Sequence, residues 1–132
     1  MKYLSLICLW LIVIITPALG REPTAPGDNP SFVTIDTMII SILQGPKVSG
    51  LMSVTVRLQL EDEGDREDVE FLRPKLRDRY LSLLSRLGSA SIDIDRPLNV
   101  PRLQNILQRA TDKVVGEDKA LVLITDASTR AL

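Results

Sequence analysis

Residues 51–62, LMSVTVRLQLED, alternate without a break. Met52, Val54, Val56, Leu58 and Leu60 share one parity, and Ser53, Thr55, Arg57 and Gln59 share the other. A period of two puts the first set on one face of a β-strand and the second on the opposite face. The segment is therefore a half-buried strand that needs an apolar cover on one side only.

Upstream, SFVTIDTMIISIL (31–43) is rich in β-branched residues and predicts a second strand. Val33, Ile35, Ile39 and Leu43 fall on one parity, while Met38, Ile40 and Ile42 fall on the other. Its second half is apolar on both faces, which suggests a central strand or one covered by a partner. Between the two runs, QGPKVSG (44–50) carries Gly-Pro and Ser-Gly turn signals, so the pair reads as a hairpin.

An acidic turn, EDEGDRED (61–68), leads into a helical period. Its carboxylates suit the positive end of a helix dipole, and they lack the alternating ligand spacing of a calcium loop. From Asp65 to Leu87, Val69, Leu72, Leu76, Tyr80, Leu83 and Leu87 recur at steps of three and four. Pro74 falls inside this pattern, and it either kinks the helix or starts a second segment. GSASIDIDRP (88–97) is a connector with a short extended piece at Ser91–Ile94. A second helix follows over 99–116, with Asn99 or Val100 at the cap and Pro101 in the first turn. Leu103, Ile106, Leu107, Ala110 and Val114 form its buried stripe, and Gly116 suits its C-terminal end. KALVLITDAS (119–128) closes the chain with a third strand.

The order is strand, strand, helix, helix, strand. A small three-stranded, mostly antiparallel sheet with both amphipathic helices on one face buries every stripe named above, which is an α+β architecture.

The first residues are MKYLSLICLWLIVIITPALGREP. The apolar run from Tyr3 to Thr16 is about fourteen residues, short of the roughly 20 that a spanning helix needs and within the 7–15 of a signal-peptide core. Lys2 supplies the positive start, Pro17 ends the run, and Ala18 and Gly20 are small residues before a cut between Gly20 and Arg21. The alternative is a retained membrane anchor extended by Ala18 and Leu19. On either reading the remainder is exported. Residues 21–30, REPTAPGDNP, carry three prolines and read as a linker, leaving one domain over 31–132.

Composition narrows the chemistry. The chain has no His, and its one Cys, Cys8, lies in the signal-like segment. Ser-His and Cys-His nucleophilic systems and most zinc sites are thereby removed, and no cofactor is expected. After a cut at Gly20, 15 Lys and Arg face 17 Asp and Glu, net −2. So even a balance supplies no overall attraction to nucleic acid.

Several segments resemble the periplasmic domain of the FliL family of flagellar basal-body-associated proteins. They are FVTIDTMIISIL, LMSVTVRLQLED, FLRPKLRDRYLSLLS and the closing ALVLITDAS. The most telling is Arg73-Pro74-x-Leu76-Arg77-Asp78, which is similar to the family's Pro-x-hydrophobic-Arg-Asp segment in its long helix. The resemblance implies a stomatin-like fold and a non-enzymatic role beside the stator units of the flagellar motor. It also implies self-assembly, stator or basal-body partners and a place at the inner membrane on its periplasmic side. The start differs, because the family has a short cytoplasmic segment and a full span where this chain has a signal-like segment. That difference points to an exported paralogue.

A binding or assembly module is the first function class. Ile40 and Ile42 are candidates for a partner surface, the alternative being that the monomer itself covers them. In RPKLRDR, Arg73 and Arg77 lie on one helix flank and Lys75 and Arg79 on another, with Leu76 and Tyr80 on the buried side. That cationic face either docks an acidic partner or a second copy, or is solvated surface balanced by Glu70 and Asp78. A second class is an enzyme using Asp93 with Asp95, or Asp36 with Asp126. Paired carboxylates need a defined separation that no spacing here fixes. GPKVSG lacks the Gly-Lys-Ser/Thr ending of a phosphate loop. A small-molecule substrate is accordingly not expected. The third class is a membrane-surface protein whose cations meet lipid head groups.

Overall fold

The structure, a computed structural model, describes residues 31–132. In chain order it contains β1 (Phe32–Gln44), β2 (Lys47–Leu60), a 3-10 turn (Glu63–Asp65), α1 (Arg66–Ala90), α2 (Val100–Val115) and β3 (Ala120–Ala131). The signal-like segment, its Gly20–Arg21 cut and the 21–30 linker lie outside the described residues.

The strands form one antiparallel sheet in the order β1-β2-β3, with β2 in the centre. Both helices cover the same face, giving the α+β arrangement that the order of elements predicts. The hairpin is tighter than the sequence suggests. Gln44 pairs with Lys47, so Gly45 and Pro46 alone make the turn. Gly45 has φ 61, and Pro46 cannot follow it to positive φ. That combination suits a type II′ turn, whose twist matches the flanking strands.

β1 departs from its expected alternation at one point. Its register against β2 shifts between Ile35 and Met38, so Asp36 and Thr37 together oppose Thr55. This is a β-bulge, and the extra residue flips the parity of everything after it. Val33 and Ile35 before the bulge, and Met38, Ile40 and Ile42 after it, consequently all face the core. Ile39 is left 66% exposed on the opposite face. The proposal that Ile40 and Ile42 form an open partner surface is thereby corrected: they are 4% and 0% exposed in the monomer. β3 carries a matching irregularity, with Thr125 inserted between the pairs Val56–Ile124 and Thr55–Asp126. Both edge strands thus bulge at the level of Thr55 on the central strand. Hydroxyls tie the place together: Thr37 Oγ1 lies 2.8 Å from Thr55 Oγ1, and Thr125 Oγ1 donates to the Thr55 carbonyl at 3.4 Å.

α1 runs unbroken through Pro74. The ring sits on the exposed side of the helix, so the Glu70 carbonyl that loses its N–H partner faces water, where it can be hydrated. The buried stripe is Val69, Leu76, Tyr80, Leu84 and Gly88, while Leu72, Leu83 and Leu87 are half-buried. The C-terminal half therefore turns a different flank to the sheet than the leucine spacing suggests. Gly88 explains the turn. A Cβ there would stand 2.7 Å from the Ser41 carbonyl oxygen and 3.3 Å from Ile40 Cγ2, so only a glycine lets α1 come this close to β1.

Asn99 caps α2, its Oδ1 accepting from the Arg102 amide at 3.0 Å. Leu103, Leu107, Ala110 and Thr111 are buried, whereas Ile106 and Val114 are half-buried. On its β3 side, Gln104 Nε2 donates to the Val122 carbonyl at 2.9 Å. Gln108 Nε2 donates to the Ala120 carbonyl at 2.9 Å, and Gln108 Oε1 accepts from the Val122 amide at 2.8 Å. These two side chains occupy main-chain groups that an edge strand otherwise offers to another chain.

Candidate functional site

The cationic stretch is divided between two flanks of α1. Arg73 and Arg77 lie on the flank toward β1, where Arg73 Nε pairs with Glu70 Oε2 at 3.4 Å. Glu70 is also held by Arg66 at 3.5 Å, so the Arg73 charge belongs to a local network. Lys75 and Arg79 lie on the flank toward α2, both exposed. A side chain on α1 four or seven residues farther along continues a row, and Arg86 follows Arg79 in that way. On α2, Arg102, Arg109 and Lys113 are spaced by seven and four and are likewise exposed.

These two rows meet across a groove. Arg79 and Leu83 from α1, with Ile106, Arg109, Ala110 and Lys113 from α2, line a hollow of about 240 Å³. Its floor is apolar and its rim carries three cations and no carboxylate. Ile106 separates it from a larger cavity of about 340 Å³ under the connector, walled by Leu87, Ile92, Leu98 and Leu103. Arg96 and Arg102 stand at that second mouth, where Arg96 Nε pairs with Asp93 Oδ2 at 3.4 Å. The groove side of the helix layer is therefore positive, although Asp78 is exposed on α1 and the chain as a whole is near neutral. The compensating acids sit at the start of α1, where Glu61, Asp62, Glu63, Glu67 and Asp68 are exposed.

Of the paired carboxylates, only Asp93 borders one of these cavities, the larger one. Asp93 Oδ1 accepts from the Asp95 amide at 3.0 Å, a local turn bond that accounts for their spacing. Asp36 and Asp126 are on opposite edge strands at the two bulges, two strand spacings apart, or about 10 Å between backbones. Both are exposed on the open face of the sheet, and neither lines either cavity. Among the described residues, no three His, Cys, Asp or Glu side chains converge as a metal site. Also among them, no helix is long and apolar enough to cross a membrane.

Three residues of this surface escape sequence reasoning. Arg109 and Lys113 are ordinary exposed residues of an amphipathic helix, and nothing in their spacing tells that they face Arg79. Phe71 is the third: it is 84% exposed on the outer side of α1. Its signal is visible in the sequence, as an aromatic off the Val69–Leu76–Tyr80 stripe, but its exposure becomes clear only once the helix is placed.

No protein-family model and no curated protein matches this chain.

Proposed function

We propose that this protein is a non-enzymatic assembly module of the cell envelope. It acts by pairing with further copies of itself and with stator or basal-body proteins of the flagellar motor, in the manner of the FliL family that its segments resemble. The observation that carries the assembly reading is the groove between α1 and α2, with an apolar floor and a rim of Arg79, Arg109 and Lys113. Apolar ground ringed by arginine is the composition of protein–protein contact surfaces. The flagellar setting rests on the resemblance, above all on Arg73-Pro74-x-Leu76-Arg77-Asp78. Export through the Tyr3–Thr16 segment places the domain on the periplasmic side of the inner membrane in this reading.

Deleting the gene and scoring swimming in soft agar, together with counting assembled motors, tests the setting. Loss of swimming restored by the wild-type gene supports it, and unchanged swimming removes it. A second reading draws on the same charge. Seven exposed cations on the two helices also suit anionic lipid head groups, which attract basic surfaces within a Debye length. Sedimentation of the domain with phosphatidylglycerol vesicles at low salt separates this membrane-surface role from assembly.

A further inference from the structure

Phe71 projects from the face of α1 opposite the sheet, 84% exposed. One turn before it, Glu67 and Asp68 stand on the same face, both exposed. The groove farther along the same helix layer is its complement: a hollow of about 240 Å³ over Leu83, Ile106 and Ala110, rimmed by Arg79, Arg109 and Lys113. One molecule thus carries an apolar knob flanked by acids and an apolar hole flanked by cations.

Their spacing allows the match to close on itself. Arg79 and Leu83 follow Phe71 by eight and twelve positions, about 12 and 18 Å along the helix at 1.5 Å per residue. Two copies related by a two-fold axis near Lys75 and Asp78 would bring each knob to the other's hole. The same operation sets Glu67 opposite Arg86 and Lys75 opposite Asp78, each pair occurring twice. A two-fold contact of this kind is self-complementary and ends at the dimer.

We propose that two copies of this chain pair their α1 helices antiparallel, each seating Phe71 in the α1–α2 groove of the other, with Glu67 against the other's Arg86. The inference rests on the assembly reading above and specifies its surface. It leaves the inner face of the sheet and the core untouched, so its variants do not depend on refolding.

The test uses the full chain, expressed in one cell as two differently tagged copies. Wild-type copies are expected to co-purify, and Phe71→Ala in both is expected to reduce recovery at least tenfold. A charge exchange supplies the second arm. One copy carries Glu67→Lys, and the other carries Arg86→Glu. Either variant paired with itself should lose recovery at least tenfold, because like charges meet in both halves of the dimer. The mixed pair should recover to near wild type, since one half is native and the other is native with signs exchanged. In a Cys8→Ser background, Phe71→Cys in one copy and Lys113→Cys in the other should crosslink with a bismaleimide. Undiminished recovery of all variants overturns this inference while leaving assembly through another surface standing. A mixed pair recovered no better than either self-pair overturns it equally, as does loss of phosphatidylglycerol vesicle binding in Arg86→Glu at unchanged recovery. Wild-type copies that never co-purify overturn the self-assembly reading and this inference with it.

Discussion

The Tyr80 hydroxyl meets the Thr111 hydroxyl in the interior between α1 and α2. Thr111 uses its own hydrogen on the Leu107 carbonyl at 2.8 Å, so Tyr80 is the donor of the pair. Both side chains are fully buried, and this relay joins the two helices by a polar link through an otherwise apolar core. Thr111→Val would leave the Tyr80 proton unsatisfied, at about 1–3 kcal/mol. Tyr80→Phe keeps the Thr111–Leu107 bond and is expected to lose about 0.5–1.5 kcal/mol. The double variant should lose less than the two single losses together, a coupling that urea unfolding of all four proteins measures. Additive losses would show that the hydroxyls do not interact.

Burial also sets the alkaline limit of the fold. Desolvation pushes the Tyr80 phenol up from 10.0 to about 12, against a lowering by the Thr111 hydrogen bond and with a small upward contribution from Asp112. The folded state therefore keeps a proton that the unfolded chain releases near pH 10. Tyr80's contribution is fully present below pH 10 and is lost as pH rises from 10 to 12, by about 2–3 kcal/mol in all. Urea midpoints of the wild type and Tyr80→Phe should converge and then cross within that window, since the wild type loses more than the hydroxyl contributes below pH 10. Parallel curves would mean the phenol is solvated.

The bulge at Asp36 and Thr37 carries a sharper expectation. Deleting Thr37 leaves Asp36 alone opposite Thr55, so Ile35, Met38, Ile40 and Ile42 then alternate regularly and still face the core. The deletion removes only the exposed Thr37–Thr55 hydroxyl contact and the local twist of the edge strand, at about 0.5–1.5 kcal/mol. Cooperative melting in a calorimeter is expected to survive it. Loss of the cooperative transition would show that β1 does not pair with β2 in this register.

Gly88→Ala sets two effects against each other. Alanine favours the helix by about 1 kcal/mol. Its Cβ would lie 2.7 Å from the Ser41 carbonyl oxygen, a rigid main-chain atom, and force α1 away from β1. Overpacking of this sort costs about 1–3 kcal/mol, so a net loss of stability is expected. A raised melting temperature would mean that the helix yields at this end without strain.

Core and surface of the two helices should respond oppositely to charge. Leu76→Asp and Leu107→Asp place a carboxylate where the side chain is fully buried, at about 3–5 kcal/mol or more, and each is expected to unfold the domain. Arg73→Glu with Arg77→Glu changes exposed or half-exposed positions and one surface pair of 3.4 Å, worth about 0–1 kcal/mol. Circular dichroism melts of the three proteins compare them directly. Near-native melting of either aspartate variant would contradict the placement of its stripe.

What the sequence by itself determined is the set of elements and their order. The alternation of Met52 to Leu60 specified a one-sided strand, the steps from Val69 to Tyr80 specified a helix, and Asn99 with Pro101 specified where the next one starts. These are local signals, because backbone periodicity and capping act within one turn or one strand. Tertiary structure decided which faces those elements turn inward. The two parities of β1 looked like a strand apolar on both sides, and only the pairing with Thr55 shows a bulge that joins both sets on one face. The leucines at 83 and 87 fit the helix stripe, yet contact at Gly88 rotates Leu84 into their place. Arg79, Arg109 and Lys113 share a groove for the same reason. Arg79 is thirty or more residues from the other two along the chain, and their meeting depends on how α1 and α2 pack against a common sheet, which no local pattern encodes.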